Sequence, residues 1–275
     1  MTSRIRTIAR EDVRHVLRDR LLWGALVLVF LLTVPLFWQV LGGHSSPIED
    51  IANLAYNLRI YVAILAGVIA VKSVVGERES GTVRLLLGLP GTRRDVVLGK
   101  LISRVSMVIV VLLMLFVSLA GVLLLRAGGQ YLVVILPVAL WTLLYGAAWT
   151  GLTVGASAAF DSWYRTLAAF GVTYIVFSPA VRIWETLVLP LLAVPFTGTV
   201  GVGATSSLGT GMAPVWYQYV GRLNPIASYV LGSVWVTDPN PSTIGPNLFG
   251  VLVLLFFGTI PLLVGYRRFE RADLG

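Results

Sequence analysis

Apolar runs long enough to cross a bilayer recur along this chain, and they limit its fold more than any other feature. A helix needs about 20 apolar residues to span the hydrocarbon core. Six segments meet that need: residues 21–41, 59–75, 101–125, 132–160, 166–179 continuing toward 192, and 247–266. The second reaches back into 54–57, and the fifth is interrupted by Pro179, Arg182 and Glu185. Charged residues make up only 12% of the chain, whereas a soluble domain carries about 25%. A soluble fold with so few charges would expose large apolar patches. The expected fold class is an all-α integral membrane protein with six transmembrane helices. Residues 1–20 form a separate interfacial element, and residues 21–275 form one membrane domain.

Charge placement orients the spans. With six crossings and the N-terminus inside, seventeen of the 21 Lys and Arg residues fall on the inner side, counting Lys72 and Arg104 at span ends. Arg59, Arg126, Arg182 and Arg222 are left outside or near the outer ends. This bias is the positive-inside pattern, and it predicts a multi-pass plasma-membrane protein with both termini cytoplasmic. The net charge of +8 therefore reads as topology and contact with anionic membrane lipids, with no nucleic acid among the partners. The first 20 residues carry six arginines and no small-residue cleavage site, so no cleavable leader is expected. Within them Arg10, Arg14 and Arg18 lie opposite an apolar helical face, which suits a helix lying in the membrane interface.

The segment between the fifth and sixth spans is long. Residues 198–211 are rich in Gly, Ser and Thr and cannot face lipid as an irregular backbone. The apolar stretches 183–196 and 215–235 on either side suit a re-entrant hairpin or two interfacial helices. Trp216, Tyr217, Tyr219, Tyr229 and Trp235 fit an interfacial aromatic belt.

Residues 75–100 read VGERESGTVRLLLGLPGTRRDVVLGK, a patterned charged loop between two apolar runs. Glu77, Arg78 and Glu79 leave the second span, and Gly81 permits a turn. Thr82 can cap a short helix through Val83, Arg84, Leu85, Leu86 and Leu87, and Pro90 prevents its continuation. Thr92-Arg93-Arg94-Asp95 is a capping-box variant that restarts helix into the third span. The expected product is a short helix parallel to the membrane.

At these residues the chain resembles the permease subunits of ABC-2 type transporters. The ERESGT…LLL…LP…TRR…VLGK pattern is similar to the family's coupling helix, which docks into a cytoplasmic ATP-binding subunit. The basic N-terminal helix resembles the family's elbow helix. Leu223-Asn224-Pro225-Ile226-Ala227-Ser228-Tyr229 resembles the NP-[LI]-x-x-Y stretch that precedes the last span, which singles out Asn224, Pro225 and Tyr229. The resemblance implies an exporter working as a homodimer or heterodimer of permeases with two ATPases. ATP and Mg would be bound by those partners, and no cofactor by this chain. It also implies that Glu77 and Glu79 position the loop and that Thr82 to Leu87 fill a groove in the ATPase. Arg93, Arg94 and Lys100 would pair with acidic groups or lipid phosphate.

The residues themselves exclude several chemistries. No G-x-x-x-x-G-K-[ST] phosphate loop is present, so the chain is not expected to hydrolyse ATP. There is no cysteine, and His15 and His44 are predicted on opposite sides of the membrane. No metal site is therefore expected, and Met107 and Met114 read as packing. Asp161 and Arg165 are spaced to pair at i, i+4, and Arg182 and Glu185 at i, i+3. Gly146, Gly151 and Gly155 allow close packing, either at a subunit seam or within one subunit. The alternatives are an ion-gradient carrier, which normally needs ionisable groups at mid-span, and a membrane scaffold acting without an ATPase.

Overall fold

The computed structural model describes residues 46–81, 92–197, 214–238 and 240–272, together with Trp23, Gly24 and Val27. The expectations for Arg10, Arg14, Arg18, Thr82, Val83, Arg84, Leu85, Leu86, Leu87 and Pro90, and most of the first apolar run, lie outside these residues.

The described residues are helical, with no strand among them. In chain order the helices are α1 (Pro47–Ala70), α2 (Val75–Glu79), α3 (Arg93–Ala127), α4 (Leu132–Ala159), α5 (Trp163–Phe177), α6 (Leu189–Thr197), α7 (Val215–Gly221), α8 (Pro225–Thr237) and α9 (Ile244–Arg271). Four stretches are long and apolar enough to cross a membrane: Pro47–Glu79, Arg93–Leu125, Gly129–Ala159 and Pro241–Arg271. The protein is thus a multi-pass membrane protein. The fifth expected span is shorter than its apolar composition suggested. Helix α5 has 15 residues, about 22 Å at 1.5 Å per residue, against a hydrocarbon core of about 30 Å. It stops at Phe177, and the chain resumes through a π-helical turn at Trp184–Val188 before α6.

Helix α1 begins seven residues before residue 54, the earliest start expected for the second span. Ser46 accepts a hydrogen bond from the Glu49 amide at 3.3 Å, and the Glu49 carboxylate accepts from the Ser46 amide at 3.2 Å. Pro47 supplies the first helical turn. This is a capping box with a favourable proline, and it starts the helix despite the polar residues that follow. Consequently Arg59 does not sit near a helix end; it lies at the middle of α1.

Helix α4 is the spine of the fold and packs against α1, α3, α8 and α9. Its contact with α9 is the closest in the molecule. A Cβ on Gly155 would meet the Pro261 carbonyl oxygen at 2.4 Å, and one on Gly151 would meet the Gly258 carbonyl oxygen at 2.8 Å. Gly146 instead faces Val62, Val108 and Leu112 on α1 and α3. These small residues therefore pack within one subunit, where they let two backbones approach.

Candidate functional site

The charged loop leaves α2 at Gly81 and returns at Thr92, and the side chains flanking both ends form one connected junction. It begins where α1 gives way to α2. The amides of Val74 and Val75 both donate to the Ser157 hydroxyl on α4, each at 3.0 Å. That single hydroxyl satisfies two donors that the break in the helix would otherwise orphan.

Each charged residue of α2 then reaches a different helix. Glu77 forms an ion pair with Lys100 of α3, which is buried. Arg78 donates to the carbonyls of Phe160 at 2.9 Å and Ala158 at 3.4 Å, at the C-terminus of α4. Glu79 accepts from the Trp163 amide at 2.9 Å, at the N-terminus of α5. A cation on a helix C-terminus and an anion on a helix N-terminus both complement the helix dipole. Gly81 holds φ at +74°, the left-handed region that glycine enters without a Cβ clash.

The returning end grips α9. Thr92 and Asp95 form the expected capping box, with Thr92 N to Asp95 Oδ2 at 3.0 Å and Asp95 N to Thr92 Oγ1 at 3.2 Å. The Arg93 guanidinium donates to three carbonyls at the end of α9: Phe269 at 2.6 Å, Ala272 at 2.7 Å and Glu270 at 2.8 Å. The Phe269 ring is fully buried, with the guanidinium carbons of Arg78 and Arg93 each 5.7 Å from its centroid. It packs with Val74, Val97 and Ala158 into a small cluster separate from the main core. Arg94 remains exposed. The two ends of one short loop are thereby tied to α3, α4, α5 and α9. These contacts are charge-assisted.

Beside this junction, Asp161 and Arg165 form the expected surface pair at 2.8 Å. A backbone hydrogen bond, and then Arg165, hold the Asp161 carboxyl below its usual range.

The opposite end of the bundle is organised by the Asn224–Tyr229 stretch. The Asn224 side-chain oxygen caps α8, accepting from Ile226 N at 2.8 Å and Ala227 N at 3.2 Å. Its amide nitrogen donates to the Phe177 carbonyl at 3.0 Å, at the end of α5. Pro225 occupies the first turn of α8, where its missing N–H costs nothing. Tyr229 is buried and stacks on Tyr145 of α4 with centroids 4.3 Å apart. Its hydroxyl meets Thr142 at 3.0 Å, and its carbonyl accepts from Trp141 at 3.0 Å. These residues are fold determinants that dock α8 on α4 and close the end of α5. Next to them Arg222 is fully buried, bonding the Asn247 side chain at 2.9 and 3.2 Å and the Gln218 carbonyl at 2.9 Å. Burial lowers its pKa to about 10, so it stays cationic at neutral pH.

Arg182 and Glu185 do not form the expected pair. Arg182 sits at φ +61° in the turn after α5, and Glu185 lies in the π-helical turn, so regular i, i+3 geometry is lost. The sequence also gave no hint of Ser157, Trp163 or Phe269 as junction residues, because their partners lie on other helices. Arg59 had a readable signal, the Ser46–Glu49 capping box.

Comparison with known proteins agrees with the loop pattern. The sequence profile described as ABC-2 family transporter protein matches residues 6–274. The probable ABC transporter permease protein NosY of Pseudomonas aeruginosa is 34% identical over 104 residues, covering 35% of this chain and 37% of that protein. The protein of the same description from Stutzerimonas stutzeri is 33% identical over 107 residues, covering 37% and 38% respectively. The matched stretch thus spans less than two fifths of either relative.

Proposed function

This chain belongs to the ABC-2 family of transporter proteins, and from that premise we propose that it is the permease of an ATP-driven exporter. ATP and Mg bind a separate ATP-binding subunit, which docks on the turn between Gly81 and Thr92. Two permeases, identical or different, form the translocating unit. Each has six crossings, an interfacial helix at residues 1–20 and both termini on the cytoplasmic side of the plasma membrane. The similarity to proteins described as ABC transporter permeases supports this reading, as does the crowding of basic residues around one set of helix ends.

The observation that carries the reading is the junction under the loop. Glu77, Arg78, Glu79 and Arg93 are engaged by neighbouring helices of the same chain, which suits them to transmit a displacement. Docking then falls to the apolar stretch Thr82 to Leu87 and to the exposed Arg94. Closure of the ATPases would push that stretch and tilt α3, α4, α5 and α9 together.

The test is affinity purification of the tagged chain in mild detergent, with co-purifying proteins identified and their stoichiometry measured. An ATP-binding subunit at one per permease is the expected result. Replacing residues 82–87 by a Gly/Ser linker should then leave ATP hydrolysis but abolish its link to transport. A chain that purifies alone even after crosslinking would defeat the proposal.

A further inference from the structure

Arg59 stands where a membrane protein normally avoids a charge. Its carbonyl accepts a hydrogen bond from the Tyr145 hydroxyl at 2.8 Å, and Tyr145 lies midway along the 28-residue α4. The thirteen residues of α4 before Tyr145 carry no charge, and Val133, Leu136 and Leu140 among them are exposed. The Arg59 carbonyl therefore lies about 20 Å along α4 from its start, at 1.5 Å per residue. A cation within an apolar bundle is costly unless something compensates it.

Among the described residues little compensates it. The guanidinium sits over the Tyr56 ring, 3.3 Å from its centroid. Its Nε is buried without a hydrogen-bond partner. No ion pair to Arg59 exists among the described residues, and no Asp or Glu occurs within residues 21–41, 101–125, 132–160 or 163–177. Nor does Arg59 suit a proton-coupled carrier, because a guanidinium does not release its proton in proteins. A fixed positive charge with unused donors is suited instead to binding an anion.

The short α5 opens the way to it. Tyr56, Ala63 and Gly67 lie on one face of α1, at i, i+7 and i+11. Phe170 of α5 covers that face so closely that a Cβ on Gly67 would meet its ring at 2.5 Å, and Ala63 is fully buried. Beyond the end of α5 the same face is open, and Tyr56 is 49% exposed. Arg59, half-buried, lies beside this opening. Val172 and Ile175 of α5 present exposed apolar surface.

We infer that Arg59, stacked on Tyr56 beyond the end of α5, holds the anionic group of an amphiphile whose tail stays in the apolar surroundings. The group is a phosphate, sulfate or carboxylate, which a guanidinium can bind through two parallel N–H donors. The site makes this amphiphile the substrate class only if the permease reading stands; the binding itself does not depend on it.

The test uses the full chain in a neutral maltoside detergent, titrated with lysophosphatidylglycerol and, separately, with lysophosphatidylcholine of equal tail length. Saturable binding that favours the anionic probe is expected, weakened about tenfold or more in Arg59→Gln, the scale of one lost ion-pair contact. Arg59→Lys should restore part of it, because charge returns without the planar stack. Equal affinity for the two probes, or affinity unchanged by Arg59→Gln, overturns the inference. If Arg59→Gln does not fold, Tyr56→Leu and Arg59→Lys decide: weakened binding in both supports the site, and unchanged binding in both sinks it. Lipid extracted from purified protein separates the sources. Anionic phospholipid retained by the wild type and lost from the variants identifies a bilayer lipid; lysophosphatidylglycerol binding without retained phospholipid points to a non-lipid cargo. Binding is read without the ATPase, so failure here leaves the permease reading intact. A chain that binds the probe but recruits no ATPase keeps the site and loses that reading.

Discussion

Arg93 and Phe269 are 176 positions apart in the chain, yet the guanidinium of one donates to the carbonyl of the other at 2.6 Å. The contact fixes the returning end of the charged loop to the end of the last helix. Movement of the start of α3 is thereby linked to the end of α9. Arg93→Ala should lower stability by about 1–3 kcal/mol, as three carbonyls lose a charged donor. On the permease reading proposed above, it should also reduce the coupling of ATP hydrolysis to transport more than it reduces hydrolysis itself. Thermal unfolding and paired ATPase and transport assays check both; an unaffected coupling ratio would confine Arg93 to a packing role.

Glu77 and Lys100 are expected to behave as an interdependent pair. Removing one partner strips a largely buried charge of its ion pair, at a cost of up to about 3–5 kcal/mol, whereas removing both is much milder. The double-mutant cycle of Glu77→Gln and Lys100→Met should therefore be strongly non-additive. Additive losses would show that each residue is held by other partners.

The α4–α9 seam allows a sharp contrast between glycines. A Cβ on Gly265 would sit 2.0 Å from the Gly155 carbonyl oxygen, whereas at Gly121 nothing lies within 4 Å. Gly265→Ala should destabilise by about 3 kcal/mol, since rigid backbone must shift. Gly121→Ala, mid-helix and unobstructed, should stabilise by about 0.5–1 kcal/mol. Comparing their thermal midpoints in one detergent is sufficient, and similar midpoints would contradict the packing described.

Asn224 combines a helix cap with a bond to the end of α5. Asn224→Ala should cost about 1–2 kcal/mol. Asn224→Asp preserves the cap but loses the donor to Phe177, so it should fall between the wild type and alanine. An aspartate variant as unstable as alanine would mean that the α5 contact dominates.

The Asp161–Arg165 pair gives a signed pH dependence. The folded carboxyl titrates below its usual value of 3.8, first through a backbone hydrogen bond and then through Arg165. Its small contribution is therefore complete above that value and disappears as pH falls through the lowered folded pKa. The difference in thermal midpoint between wild type and Arg165→Gln should be constant from pH 5 to 8 (about this window, since both carboxyl states are ionised there) and should shrink in stronger acid. A difference that changed near neutrality would implicate another group.

The primary sequence determined the class of fold and much of its punctuation. Apolar runs can lower their free energy in a bilayer only as helices, because hydrocarbon offers no partner for an open backbone. Local signals survived unchanged: Thr92 and Asp95 cap α3 as their spacing requires, and Asn224-Pro225 begins α8. The same kind of signal at Ser46 and Glu49 starts α1 at Pro47 and places Arg59 at its middle.

Only the tertiary structure decided where the charges and glycines point. Apolar composition promised a full fifth span; Ser178, extended before Pro179, ends it at Phe177, and only the fold brings the Asn224 amide to the freed Phe177 carbonyl. Gly151 and Gly155 allow close approach to any helix, and only the parallel placement of α9 selects which one. Lys100 and Arg93 look like free basic residues in the sequence, yet Glu77 and the end of α9 engage them. Propensities and caps act over a few residues, so they can be read along the chain. Pairing across a bundle depends on which helices become neighbours, and that is set by burying all of their surfaces together.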